Sequence, residues 1–249
     1  MELTMLAMVL GLVLLGAVAQ RVAGLGFAML ASPFLVLLLG PHVGVFLINV
    51  CGVVSSTLII PRVWKDIDWS MFRWLTVASI AGSVPGVLAA AHMDSGPLSI
   101  FVGGVVLIAL ILSLSLSRAD VVVTGKAPRA VAGLASGLTN AMAGVGGPAV
   151  SAYAVLSRWP QRSFAATLQP FFACMGLVAV AAKLAVDPSQ APALDWWMWG
   201  LIVVAIIAGI LGGERLQRHV SDRSARIFVI TIAFAGAIMA LVEGLVEVL

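Results

Sequence analysis

Residues 130–156 carry no charge, and in the middle of that apolar run stand Gly144, Gly146, Gly147 and Pro148. A helix does not run through such a cluster. Each interior glycine costs about 1 kcal/mol of helix propensity and proline about 3. The helix is expected to stop near Ala143 and to restart near Pro148, a residue suited to a first helical turn. In a lipid bilayer, irregular backbone persists only where protein or a water-filled cavity satisfies its N–H and C=O groups. The break has an earlier counterpart in residues 20–28. It aligns at a spacing of 120, with Gly24 on Gly144 and Gly26 on Gly146.

Composition sets the class in which such a break must be accommodated. The chain is 61% hydrophobic and 10% charged, against about 25% charged residues in soluble domains. Its apolar runs are long, where an outer-membrane barrel shows short alternating segments. The N-terminus lacks the basic start of a signal peptide, so its apolar run is expected to be retained. The net charge of +3 comes from basic residues in short loops, which is no signal for a nucleic-acid partner. Cys51 and Cys174 lie in apolar sequence and read as small core residues, not as a disulfide or metal pair.

The expected fold is an all-α polytopic membrane protein made of two inverted-topology repeats. Each repeat is a broken re-entrant helical hairpin plus three transmembrane helices. The first repeat covers 1–117, with its hairpin at 3–39 and spans at 43–60, 71–91 and 98–116. A cytoplasmic linker, 118–129, leads to the second repeat at 130–249, with its hairpin at 130–156 and spans at 163–186, 196–211 and 227–246. The duplication is visible in residues. At a spacing of 127, Asp68 and Trp69 match Asp195 and Trp196, Gly82 matches Gly209, Gly86 matches Gly213, and His92 matches His219. Such internal self-similarity is the mark of a repeat.

Loop charge orients the halves, because cytoplasmic loops are enriched in Lys and Arg. Arg62, Lys65 and Arg73 place the first polar loop inside. The loop around His92 has neither residue and is expected outside. Arg118, Lys126, Arg129, Arg158 and Arg162 place both ends of the second hairpin inside, and Arg215, Arg218, Arg223 and Arg226 do the same for the last loop. His92 and His219 then lie on opposite sides, so the halves are inverted. By symmetry the first hairpin enters from outside, and both termini are periplasmic. Inverted repeats with broken helices meeting near the midplane describe secondary transporters.

Each tip presents the N-terminus of its second arm, with free N–H groups and about half a positive charge. Two such ends in low dielectric suit a small anion. The candidate substrate-binding residues are Gly24, Gly26 and Phe27 at the first tip and Gly144, Gly146, Gly147 and Pro148 at the second. To these are added the amides Gln20, Asn49, Asn140 and Gln169, paired 20/140 and 49/169 by the repeat, and the cation Arg21. The amides read equally as hydrogen-bonding glue between helices. Arg21 reads either as a counter-charge or as a residue snorkelling to the interface. Ser32, Ser136, Thr139, Ser151, Tyr153 and Thr167 are further donors, each Ser or Thr among them more simply bonded to its own helix. The tryptophans read as interface belts. No Asp or Glu lies in the middle of a span, so a proton relay is not expected. The membrane potential alone favours anion exit by about 2.3 kcal/mol per charge per 100 mV.

The glycine-rich breaks in both halves, the run from Ala143 through Pro148 to Gln169, and the duplicated plan resemble the TauE/SafE family of sulfite and organosulfonate exporters. The resemblance covers essentially the whole chain. It implies a secondary transporter that moves sulfite or a sulfonate such as sulfoacetate out across the bacterial cytoplasmic membrane. The alternatives are an anion channel on the same scaffold or a transporter of another small anion. No cofactor, metal or enzymatic activity is expected. The expected partners are the anion, the lipid bilayer and, as an open alternative to a monomer, a second copy of the chain.

Overall fold

The computed structural model describes residues 3–23, 27–115, 122–217, 219–220 and 222–249. The described residues form ten α-helices: α1 Leu3–Ala23, α2 Phe27–Leu39, α3 Pro41–Val63, α4 Trp69–Ala91, α5 Ser95–Ser115, α6 Lys126–Ala143, α7 Gly147–Leu156, α8 Gln161–Val186, α9 Trp196–Leu216 and α10 Asp222–Val248. Seven of them (α1, α3, α4, α5, α8, α9 and α10) are long and apolar enough to cross a membrane. The protein is a polytopic helical membrane protein.

Helix ends follow local chemistry. Asp68 caps α4, its Oδ1 accepting from the N–H groups of Ser70 and Met71 at 3.0 and 2.9 Å. This is the side-chain substitute that a helix start needs for its unmet donors. Several helices run beyond the sequence expectation. α3 passes through Pro61 to Val63, where proline was expected to end it. Pro33, Pro85 and Pro170 also lie inside helices. In an apolar setting an unpaired carbonyl has no water to turn to, so proline perturbs the helix locally and does not terminate it. α6 begins at Lys126, inside the expected linker, with Pro128 in its first turn, where the missing N–H costs nothing.

The tightest packing joins helices from different halves. α4 lies along α6, and α1 lies along α9. A Cβ on Gly82 would overlap the Leu134 carbonyl, and one on Gly86 would stand 2.9 Å from both the Leu138 carbonyl and the Ala141 Cβ. On the α1–α9 pair, a Cβ on Gly209 would stand 2.6 Å from the Leu14 carbonyl, and one on Gly213 would stand 3.2 Å from the Val18 carbonyl and 2.8 Å from the Arg21 Cβ. The glycines recur at a spacing of 127 and the groups they touch at 120. Small residues let helix backbones approach in this way, and in a bilayer close contact is the main source of helix association. Ser79 and Ser83 add hydrogen bonds across the first pair, to the carbonyls of Gly133 at 2.7 Å and Gly137 at 3.3 Å.

The last turn of α1 lies against the last turn of α9, with Arg21 beside Gly213. In the last turn of α6, Met142 clusters with Ala90, Leu98 and Met93, beside the turn between α4 and α5. The Ser32 hydroxyl of α2 donates to the terminal carbonyl of α6, Ala143, at 2.7 Å.

Candidate functional site

A cavity of about 700 Å³ reaches inward from the end of the molecule that carries Asp66, Arg162 and Gln217. Its walls are the last turn of α1, the first turn of α2, one face of α3, the α6–α7 break and one face of α8. The α3 face comprises Ile48, Asn49, Gly52 and Ser56, and the α8 face comprises Leu168, Gln169, Phe172 and Gly176. The two sets stand 120 apart position by position, and each is one stripe of a helix.

Nine of the sequence candidates line this cavity: Gln20, Arg21, Phe27, Asn49, Asn140, Gly144, Gly146, Gly147 and Gln169. Gly24 and Gly26 lie outside the described residues. Pro148 is not among the lining residues. It has no N–H to offer a ligand, and its place in the first turn of α7 is that of a helix starter. Ser151 is on the wall, whereas Ser136 and Thr139 spend their hydroxyls on the carbonyls of Gly146 at 2.6 Å and Ala135 at 2.9 Å. Thr167 donates to Ser163 at 2.7 Å, and Tyr153 accepts from Arg129 Nε at 3.4 Å.

The break is built by Gly144. Its φ of 71° ends α6 in the left-handed conformation, with its N–H on the Asn140 carbonyl at 2.8 Å, which glycine adopts without steric cost. α7 then starts at Gly147 with Gly146 as its N-cap and no side chain capping it. Its first N–H groups are left for whatever occupies the cavity. Beside Gly147 there is room, since a Cβ there would meet only Phe172, at 3.4 Å.

The amides divide the work. Asn140 Nδ2 donates to Asn49 Oδ1 at 2.8 Å, and Asn49 Nδ2 donates to the Val45 carbonyl at 2.9 Å. This pair bonds the second hairpin to α3. Gln20 Oε1 accepts from Ser55 at 2.7 Å, which leaves its amide nitrogen available at the wall. Gln169 Nε2 donates to Ala165 at 3.2 Å, and its Oε1 is buried without a partner among the described residues.

Charge gathers at the mouth. Glu214 is held by Arg21 at 3.3 Å and by Arg62, while Arg162 pairs with Asp66 at 2.9 Å. Three arginines face two carboxylates, so the mouth carries a net positive charge, which raises the local concentration of anions. Arg21 is thus both paired at the molecular end and on the cavity wall. Sequence reading missed Gly52, Ser56, Phe172 and Gly176. The signal was there, because each is the partner of another wall residue at the spacing that pairs Asn49 with Gln169. It was missed for lack of any reason to extend the comparison through apolar positions. Asp66 and Arg162 carried no such signal. His92 and His219 turn to their own helices, their Nδ1 atoms on the carbonyls of Leu88 at 2.7 Å and Arg215 at 3.0 Å.

The model of one protein family, sulfite exporter TauE/SafE, matches residues 8–240. No curated protein and no solved structure matches. Because the family match runs through both breaks and through the helices that wall the cavity, the chain belongs to the sulfite exporter TauE/SafE family of membrane transporters.

Proposed function

We propose that this protein exports a small sulfur-containing anion, sulfite or an organosulfonate such as sulfoacetate, across the bacterial cytoplasmic membrane. The observation that carries this reading is the first turn of α7. Its N–H groups lack a side-chain cap and open at Gly147 onto a cavity that also holds Gln20 and Arg21. An oxyanion there meets donors and the positive end of a helix dipole in a setting of low dielectric. Glycine lets it approach the backbone closely. The family supplies the chemical class of the ligand.

Two further points support a transporter built from inverted repeats. The paired glycine contacts of α4 with α6 and of α1 with α9 recur at the spacings of the sequence repeat. Among the described residues, none of Pro41, His42, Lys183 or Gln190 at the other end lines the cavity, and this favours alternating access over a channel. The open end is basic and is assigned to the cytoplasm by the distribution of arginine and lysine. Both termini are then periplasmic. With no carboxylate in the middle of a span, the membrane potential is the driving force for exit.

The test is heat denaturation of the detergent-purified protein with sulfite, sulfate, thiosulfate, sulfoacetate, taurine, acetate and chloride, followed by flux in liposomes. A ligand of the folded state raises Tm by mass action. A selective rise with sulfite or one sulfonate, together with saturable, counter-flow-stimulated flux, supports the proposal. No shift and no flux with any of these anions removes it. Gly147→Leu fills the space beside Phe172 and is expected to cut flux by roughly tenfold or more while the protein stays folded. Native flux in that variant would take α7 out of the site.

A further inference from the structure

The end of the molecule opposite the cavity mouth encloses a cation with almost nothing to bond. Lys183, in the last turn of α8, is 1% exposed, and among the described residues its Nζ meets only Gln190 Oε1, at 3.4 Å. Gln190 belongs to the short turn Pro188–Gln190 and is itself buried. His42, in the first turn of α3, hydrogen-bonds the Met93 backbone and lies within electrostatic reach of Lys183 and Asp187. Its Nδ1 is buried with no partner among the described residues. Asp187 is committed to Ser189, accepting from its N–H at 3.0 Å and its hydroxyl at 2.6 Å. The three ion pairs among the described residues all lie at the other end of the molecule.

The helix C-terminus offers part of an explanation for a lysine at this place. It does not explain why the ammonium is sealed from solvent with a single partner among the described residues, or why an imidazole nitrogen nearby is buried without one. The repeat does. At the spacing of 120, His42 corresponds to Arg162 and Lys183 to Val63, and both Arg162 and Val63 line the open mouth. Pro41 and Ala179 likewise correspond to the lining residues Gln161 and Ile59. In an inverted-repeat transporter the wall of one access state is built from the repeat partners of the other. The same two helices connect the places. His42 lies six residues before Ile48 and Lys183 seven after Gly176, about 9 and 10 Å along each helix.

We propose that Lys183 and His42 form a second oxyanion site on the release path, closed in this conformation beneath Gln190 and opened when the protein faces the other side. The inference rests on the transport reading above. An anion leaving the cavity between α3 and α8 meets the ammonium, which has two N–H donors to spare, and displaces the Gln190 contact.

The experiment compares native protein with Lys183→Met, Lys183→Gln and Lys183→Arg in liposomes, with sulfite as the probe. Removing a buried charge leaves the fold at least as stable, and the glutamine variant serves if methionine does not give a monodisperse protein. The neutral variants are expected to keep the native sulfite-induced rise in Tm, because the cavity site is intact. Their sulfite counter-flow is expected to fall roughly tenfold or more, with Lys183→Arg recovering most of it. Native counter-flow in a folded neutral variant overturns the outer site and leaves the cavity reading standing. A native protein that neither binds nor moves sulfite or any other anion of the panel removes the transport reading, and the outer site with it.

Discussion

Gly144 and the Asn49–Asn140 pair show how single residues set this site. Gly144 holds φ at 71°, and a Cβ there would stand 2.5 Å from Ile48 Cγ2. Gly144→Ala therefore meets left-handed strain of about 1–2 kcal/mol as well as overpacking. We expect it to lower Tm by at least about 4 °C in heat denaturation of the detergent-purified protein. An unchanged Tm would show that the break does not depend on this conformation. Asn140→Leu strands Asn49 Oδ1, whose donor is Asn140 Nδ2, at a cost of about 1–3 kcal/mol. Combining it with Asn49→Leu is expected to cost less than the sum of the two single variants, and a double-mutant cycle on Tm reads the difference. The need for glycine was legible in the sequence, since no other residue takes a left-handed turn so cheaply. The amide pairing was not. Repeat alignment couples Asn49 with Gln169 and Asn140 with Gln20, whereas the hydrogen bond couples Asn49 with Asn140. Repeat partners occupy equivalent environments, and nothing requires them to touch.

Among the elements, the closely packed helix pair α4–α6 offers a direct test. Gly137 sits so close to α4 that a Cβ would overlap the Ser79 carbonyl. Backbone cannot give way as a flexible side chain does, so Gly137→Ala is expected to cost about 1–3 kcal/mol or more. A Cβ added at Gly200, in α9, would meet nothing within 4 Å. Gly200→Ala should be neutral or stabilising by up to about 1 kcal/mol. Equal shifts in Tm for the two variants would refute the account of this interface. The helical class was legible in the sequence, because apolar length is a local signal. Helix ends were less so. Pro61 reads as a terminator in water, whereas an apolar surrounding keeps the helix going to Val63. Symmetry says that two tips are equivalent, but not what each packs against. That is decided by which turn of α1 meets α9 and which turn of α6 meets α4.

For the molecule as a whole, the charge at the cavity mouth governs entry. Arg21 and Arg62 share Glu214, and these side chains are partly exposed, so the pairs add little to stability. Their effect is expected in rate. Arg21→Gln should slow initial flux from the basic side about threefold at low salt, and the difference should vanish near 1 M salt, where the screening length is about 3 Å. A defect that persists at high salt would mean that Arg21 acts by direct contact with the anion. The sequence by itself determined the class of the protein and set the expectations of two breaks, a duplication and an anion. Each of these follows from composition, propensity or spacing along one chain. Only the tertiary structure decided that Asn49 bonds Asn140, that Arg21 is held by Glu214 while lining the cavity, and that Lys183 is buried against Gln190. Those facts depend on residues far apart in sequence being packed against one another. The small-residue contacts that bring the two halves together set their positions, and hydropathy cannot report them, because glycine faces lipid and glycine faces a helix with the same letter.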